Sequence, residues 1–94
     1  MKYDDVLFDF VSADEEPSCG RGAVIMDGSQ MTLDITTEDG DRYVIRGTAS
    51  QESFAGKSSD GEVVLEWGKV GQSFLGIWLE GGYEYFLRFR LPGK

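Results

Sequence analysis

The chain contains neither histidine nor asparagine, so carboxylates and one thiol are its main candidates for chemistry. Without histidine, Ser-His-Asp catalysis, Cys-His catalysis and imidazole metal sites are excluded. Without asparagine there is no acceptor for N-glycosylation. Cys19 is the only cysteine, which excludes an internal disulfide framework. We expect Cys19 to lie in a flexible loop, where the neighbouring Arg21 would lower the pKa of its thiol. The sequence offers no neighbouring base that could activate the thiol.

Three glutamates fall in the last third of the chain, where paired carboxylates could in principle support acid–base hydrolysis. Glu66 and Glu84 are predicted to lie on an outer sheet face, where Arg88 offers each an ion pair. Glu80 falls at a turn, on the inner side by parity, and is predicted to reach solvent at the rim. The sequence therefore predicts no catalytic residue, no metal ligand and no cofactor, and we expect the protein not to be an enzyme.

Two acidic runs, residues 14–16 and 38–41, carry the oxygen ligands that calcium prefers. Neither has the alternating ligand spacing of an EF-hand loop, so we interpret both as solvated turns. The segment Gly20-Arg21-Gly22 resembles part of a phosphate loop. It lacks the lysine and the hydroxyl residue of that motif and opens no helix, so it predicts no nucleotide site.

Residues 63–91 form the segment around which the fold is predicted to be organised, three apolar strands joined by Gly71-Gln72 and Gly81-Gly82. Both dipeptides predict two-residue hairpin loops, because glycine accepts the positive φ that such turns require. These loops set Trp78 opposite Tyr85 and leave Gly76 to be covered by a large ring. One face is predicted to form the barrel interior, with Leu65, Trp67, Phe74, Trp78, Tyr85 and Phe89 joined by Tyr43 from an earlier strand.

The other face of the same segment carries an apolar row, although a sheet face exposed to water is usually polar. We interpret this face as a candidate interface, used for a homodimer or for another protein partner, with a basic partner favoured by the acidic first half of the chain. The alternative is that another sheet covers it inside the molecule. Its members are Val64, Leu75, Ile77, Leu79 and Phe86, with Arg88 at the charged rim.

The remaining residues complete an all-β pattern without a helix of any length. A polar connection is predicted over 13–22, and turn signals recur every 8–12 residues. The fold class predicted is an antiparallel up-and-down meander of about eight short strands, either a small closed barrel or a two-sheet sandwich. Closure of the barrel requires pairing of the first and last strands. The first five strands are predicted over 5–12, 22–27, 30–37, 42–49 and 53–58.

The strand order and the segment from Gly76 to Phe89 resemble small lipocalin-like or avidin-like barrels in architecture. The resemblance covers the last third of the chain and implies the fold alone. The predicted interior is bulky, so we expect a plugged core with no inward polar cluster. A small apolar ligand is the alternative function, and Gly47, Gly56 and Gly76 are where room would open for it.

The length and charge of the chain predict its domain number, its classes of partner and its location. The 94 residues predict a single domain spanning 1–94, and the net charge of −8 is uneven, with 11 acids and 2 bases in residues 1–41. Such a field repels phosphate and anionic lipid, so neither nucleic acid nor a membrane is an expected partner. The N-terminus lacks a signal-peptide pattern and no apolar run approaches the roughly 20 residues of a membrane span, which predicts a cytoplasmic protein.

Overall fold

The computed structural model describes residues 1–13, 15–50 and 53–92, and it shows eight antiparallel strands closed into one barrel. Each strand pairs with its neighbours in sequence, and the first pairs with the last. This is the predicted meander, and the single closed sheet excludes the two-sheet sandwich. Asp14, in one of the acidic runs, lies outside the described residues. The strands are β1 Lys2–Val11, β2 Ser18–Asp27, β3 Gln30–Thr37, β4 Arg42–Ser50, β5 Ser53–Ser58, β6 Val63–Val70, β7 Ser73–Glu80 and β8 Tyr83–Phe89.

The predicted register of the last three strands is confirmed. Trp78 pairs with Leu65 on one side and with Tyr85 on the other. Gly71, Gly81 and Gly82 have φ values of 64°, 57° and 84°, the left-handed region that the tight turns require. The bulged loop after β3 is confirmed as well, because Leu33 faces Ile45 across it.

The first two strands are longer than predicted. β1 begins at Lys2 rather than at residue 5, and β2 begins at Ser18 rather than at residue 22. A bulge makes the early start of β1 possible, because Asp5 adopts a φ of 60° where the register shifts between Tyr3 and Val6. The polar composition of this segment concealed the start of β2, which pairs with β1 from Ser18 and with β3 from Gly20.

Alternate residues of every strand fill the barrel. Phe8, Leu33 and Ile45 are fully buried, and the ring of Phe89 lies 5.0 Å from that of Phe8. The Trp67 ring stacks on Phe54 at 5.4 Å and donates its indole N–H to the Met31 sulfur at 3.1 Å. Full burial of a side chain such as that of Phe8, Leu33 or Ile45 stabilises the fold by about 1.5–3 kcal/mol.

The glycines of the strands mark close packing and not open space. A Cβ on Gly47 would lie 2.2 Å from the Trp67 ring, so the ring covers Gly47, and the nearest Trp67 atom to a Cβ on Gly76 is its own Cβ, at 2.8 Å. A Cβ on Gly56 would lie 2.2 Å from the Arg46 carbonyl oxygen, and one on Gly76 would lie 2.8 Å from the Glu66 carbonyl oxygen. None of the three opens room for a ligand.

The connections divide the charges between the two ends of the barrel. We call the end formed by residues 12–17, 38–41, 59–62 and 81–82 the acidic end, because its described residues carry seven acids and no lysine or arginine. Lys2, Lys69 and Arg90 lie at the opposite end, near the start of β1, the end of β6 and the end of β8. Asp4, Asp5 and Asp27 lie near that end as well, so the two ends differ because the acidic end carries acids without bases, whereas the opposite end carries both.

Candidate functional site

The outer face of β6, β7 and β8 is apolar at its centre, and we call it the outer apolar face. Val64 faces Leu79 across β6 and β7, and Ile77 faces Phe86 across β7 and β8, so the apolar side chains are contiguous. The described residues of the chain bring no second layer over it, as expected for the outside of a closed barrel. The exposed fractions are 46% for Val64, 43% for Leu75, 44% for Ile77, 46% for Leu79 and 55% for Phe86.

Barrel closure extends this face by one residue that sequence reasoning missed. Val11 on β1 pairs with Phe86 on β8 and is itself exposed, so the apolar row continues onto β1. The parity of Val11 already placed it on the outside of its strand. Its neighbour could not be predicted until the first and last strands were known to pair.

The charged rim of the outer apolar face differs from the prediction. Arg88 donates a hydrogen bond to Asp9 at 3.1 Å and not to Glu66 or Glu84. The β1–β8 ladder sets Asp9 directly opposite Arg88, whereas Glu66 lies two strands away and Glu84 four residues along the same strand. Both partners are partly exposed, so the pair stabilises the fold by at most about 1 kcal/mol.

A second cluster lies where the barrel opens at the acidic end, and we call it the acidic mouth. Its floor is the Trp78 ring, with Phe10 and Tyr43 packed edge-on against it at centroid distances of 5.2 and 5.1 Å. The opening has a volume of about 170 Å³. Its wall and rim are completed by Tyr85, Glu80, Glu15, Glu38, Asp39 and Asp41.

Glu80 lies half-buried in the wall of the mouth, where it is hydrogen-bonded on the inner side and still partly exposed to solvent. Its carboxylate accepts the Trp78 indole N–H at 3.1 Å and the Tyr43 hydroxyl at 3.3 Å. Two aromatic donors hold this carboxylate in place at the opening, since hydrogen bonds to a charged group are stronger than neutral ones.

The two tyrosines of the mouth are held in their protonated form. Tyr85 donates its hydroxyl to Glu15 at 2.6 Å, and this hydrogen bond, reinforced by burial and by the negative charge, raises the pKa of Tyr85 to about 12. Burial raises the pKa of Tyr43, and the nearby Glu80 carboxylate raises it further. Both phenols therefore remain neutral hydrogen-bond donors at physiological pH.

Sequence reasoning expected no inward polar cluster and so missed the acidic mouth. The inner parity of Tyr43, Glu80 and Tyr85 at strand ends was a usable signal. Glu15 belongs to a connection whose path no periodicity predicts. Of the predicted interior residues, Leu65, Trp67, Phe74, Trp78 and Phe89 are buried in the structure, while Tyr43 and Tyr85 are half-buried in the mouth.

Cys19 lies in β2 and not in a flexible loop. Its thiol donates a hydrogen bond to Glu38 at 3.2 Å, and this contact, with smaller effects of burial and charge, raises the pKa of Cys19. The predicted net lowering of the Cys19 pKa is therefore wrong. Arg21 does lower this pKa, but it is turned toward Asp5, 3.1 Å away, and the Glu38 and Asp9 carboxylates outweigh its effect. Cys19 is a free thiol.

The outer apolar face and the acidic mouth lie on opposite sides of β7 and β8, one outside and one inside the barrel. Within the described ranges, no three cysteine or acidic side chains converge closely enough to hold a metal ion. No helix that is long and apolar enough to cross a membrane occurs in the described part of the chain.

Comparisons with known proteins support the fold. No protein-family model matches the chain, and no curated protein matches it. Among solved structures, a de novo designed fluorescence-activating beta barrel is similar, with a TM-score of 0.60 and 23% sequence identity. The match covers 96% of this chain and 93% of the designed one. At this identity the likeness shows the barrel fold alone.

Proposed function

We propose that this chain is a non-enzymatic interaction protein that associates with a second copy of itself through the outer apolar face. The observation that carries the proposal is the contiguous set of five apolar side chains, each more than two-fifths exposed. Exposed apolar patches of roughly a few hundred Å² usually mark contact surfaces. That the protein acts in the cytoplasm remains a prediction.

The charges around the outer apolar face support a second copy as the partner. Consider a twofold axis that runs across the strands along the row of Ile77 and Phe86. Glu84 lies two residues before Phe86 on β8 and Arg88 two residues after it, on the same face of the strand. Rotation about this axis therefore brings Arg88 of one copy opposite Glu84 of the other. Leu75 and Leu79 meet in the same way. The acidic end of each copy then lies beside the opposite end of the other, where Lys69 and Arg90 are found.

The substitution Ile77→Asp tests this proposal at the centre of the face. We expect the wild-type chain to sediment as a dimer and the variant as a folded monomer, with association weakened at least about tenfold by a charge at a central contact. Ile25→Asp is the matched control, because Ile25 also points outward, from β2, with an exposed fraction of 39%. The control should remain dimeric.

Two results would contradict self-association. One is a wild-type chain that sediments as a monomer at high micromolar concentration. The other is equal loss of association in the Ile77→Asp and Ile25→Asp variants, which would show a general effect of added charge. If Ile77→Asp unfolds the chain, the Phe86→Ser variant and its sedimentation decide the question in its place.

Small-ligand binding is the second candidate function, favoured by the opening of about 170 Å³ at the acidic mouth. The similar designed barrel is described as fluorescence-activating. For this chain, ligand binding predicts that the ligand changes the fluorescence of Trp78 on the floor of the mouth. No change across a panel of dyes and fatty acids would count against a purely apolar ligand.

A further inference from the structure

We infer that the acidic mouth binds a small organic ammonium ion, a quaternary or alkylated amine, with its alkyl groups on the aromatic rings and its charge facing Glu80 and Glu15. The inference rests on the ligand-binding candidate and names its ligand class. It is independent of the outer apolar face, so self-association and ammonium binding can fail separately.

The aromatic lining is the first reason. Tyr43 and Tyr85, both half-buried, border the opening, and the rings of Phe10 and Trp78, 7% and 2% exposed, lie beneath them. Aromatic rings attract a cation through their electron-rich faces, and groups of such rings are the usual way in which proteins recognise quaternary ammonium. The volume of about 170 Å³ lies below the roughly 300 Å³ of pockets for drug-sized molecules, which restricts the ligand to a few carbon atoms.

The balance of charge is the second reason. Five carboxylates line the mouth and no lysine or arginine lines it, so a cation meets no like charge there. Glu80 and Glu15 are fixed in place by hydrogen bonds from Trp78, Tyr43 and Tyr85. Each carboxylate has about four acceptor positions, so both retain capacity to face a ligand. The phenol protons are used within the cluster and do not repel the cation.

The position of the mouth is the third reason. It lies at the end of the barrel where the acidic connections gather, and a negative field of this kind concentrates cations at the opening. An inorganic ion would gain nothing from the apolar floor formed by Trp78 and Phe10. An anion or a neutral hydrocarbon would meet the carboxylates without compensation. An alkylated ammonium ion can use both the aromatic floor, through its alkyl groups, and the carboxylates, through its charge.

The test is a titration of the ¹⁵N-labelled protein with choline chloride, followed by NMR at constant ionic strength. The two indole N–H signals serve as reporter and internal control. The Trp78 N–H donates to Glu80 in the mouth, whereas the Trp67 N–H donates to the Met31 sulfur toward the other end. We expect choline to shift the Trp78 signal and to leave the Trp67 signal unchanged. Its neutral isostere 3,3-dimethylbutan-1-ol should bind at least about fivefold more weakly.

Two variants locate the site. Glu80→Gln keeps the shape of the side chain and removes its charge, and we expect it to weaken choline binding about fivefold or more. Asp27→Asn removes one charge at the opposite end of the barrel and should leave binding unchanged. Glu15→Gln, in a connection, provides a second mouth variant should Glu80→Gln fail to fold. The monomeric Ile77→Asp variant should bind choline as the wild type does.

Three outcomes would overturn the inference. The first is a Trp78 signal that stays unchanged at high millimolar choline. The second is an equal shift by choline and by its neutral isostere, which would show an apolar site. The third is equal weakening by the mouth variants and by Asp27→Asn, which would show attraction by net charge without a site. None of these results bears on the sedimentation of the wild-type chain.

Discussion

Gly47 and Trp67 form a contact that the position of either residue in its own strand does not reveal. They belong to β4 and β6, and the indole ring reaches across β5 to lie over the glycine. Phe54 stacks on the ring and Met31 accepts its N–H, so the ring is fixed from three sides. The absence of a side chain at position 47 is therefore a packing requirement.

Gly47→Ala is predicted to destabilise the barrel by about 1–3 kcal/mol, the usual cost of overpacking a core. The Cβ would lie 2.2 Å from the ring, and the Phe54 stack and the Met31 hydrogen bond oppose a shift of the ring. Urea unfolding of the purified variant measures the change. In a Trp67→Phe background the same substitution should cost less, because the smaller ring leaves space. An equal cost in both backgrounds would contradict this explanation.

Side-chain direction could be predicted from the sequence for most strand residues, and side-chain contacts could not. Parity placed Trp67 inward and Ile77 outward. The partner of the Trp67 ring depends on the tilt of neighbouring strands, which the sequence does not encode in any local pattern. Glu80 shows the same limit, since its inner parity was clear while its two aromatic donors came from the closed barrel.

The turn between β5 and β6 depends on two side chains. The Ser58 hydroxyl donates to Asp60 at 2.5 Å and accepts the Val63 backbone N–H at 3.1 Å. Asp60 also accepts the Glu62 backbone N–H at 3.0 Å. Ser58 is the buried polar residue of the described core, and it satisfies a backbone donor that would otherwise be buried without a partner.

Ser58→Ala is therefore predicted to cost about 1–3 kcal/mol, since the Val63 N–H loses its acceptor in a buried position. Ser59→Ala is the matched control, because Ser59 is the next residue of the same turn and is exposed. Urea unfolding of both variants at neutral pH makes the comparison. Equal midpoints for the two would show that the Ser58 hydroxyl contributes little to the turn.

The same turn predicts part of the acid sensitivity of the barrel. Hydrogen bonds from Ser58 and from the Glu62 N–H lower the pKa of Asp60 in the folded state. Stability from this carboxylate is therefore complete above its unfolded pKa of about 3.9 and is lost as the pH falls through the lower folded value. Asp60→Asn should reduce the difference in urea midpoint between pH 7 and pH 3.

Asp34 responds in the same direction, because Arg42 donates to both of its oxygens and lowers its pKa. The Asp60→Asn variant should consequently retain part of the acid sensitivity. Asp39→Asn, in the neighbouring acidic connection, controls for the loss of one negative charge. A pH dependence that is the same in the wild type and in Asp60→Asn would contradict the assignment to this turn.

Among the elements, hairpins were predictable and the first connection was not. A two-residue turn with glycine fixes the register of both flanking strands, so Gly81-Gly82 was sufficient to pair Trp78 with Tyr85. The connection after β1 has no such signal. Its polar residues concealed Ser18, Cys19 and Arg21 in β2, and with them the route by which Glu15 reaches Tyr85.

Across the whole molecule, the uneven charge has a different meaning from the one the sequence indicated. The sequence separates an acidic first part from a balanced remainder. The up-and-down path instead collects alternate connections at one end, so acids from both parts meet there. The antiparallel twofold arrangement proposed for the dimer depends on this difference between the two ends.

Charge reversal tests that arrangement. Arg88→Glu and Glu84→Arg should each weaken the dimer by about 1 kcal/mol or more, because each places like charges opposite one another across the proposed axis. The double variant restores opposite charges and should recover most of the lost association. Sedimentation equilibrium of the four proteins gives the coupling between the two positions. Additive losses would rule out the proposed axis, even if the outer apolar face is the interface.

The ladder between β1 and β8 also sets the order of events during synthesis. Seven of the eight ladders join neighbours along the chain, whereas this one joins Asp9 to Arg88. A growing chain therefore presents β1 with one unpaired edge until β8 has left the ribosome. During that interval the open edge is a template for a strand of another nascent molecule, and exchange of β8 between two chains competes with completion of the native fold.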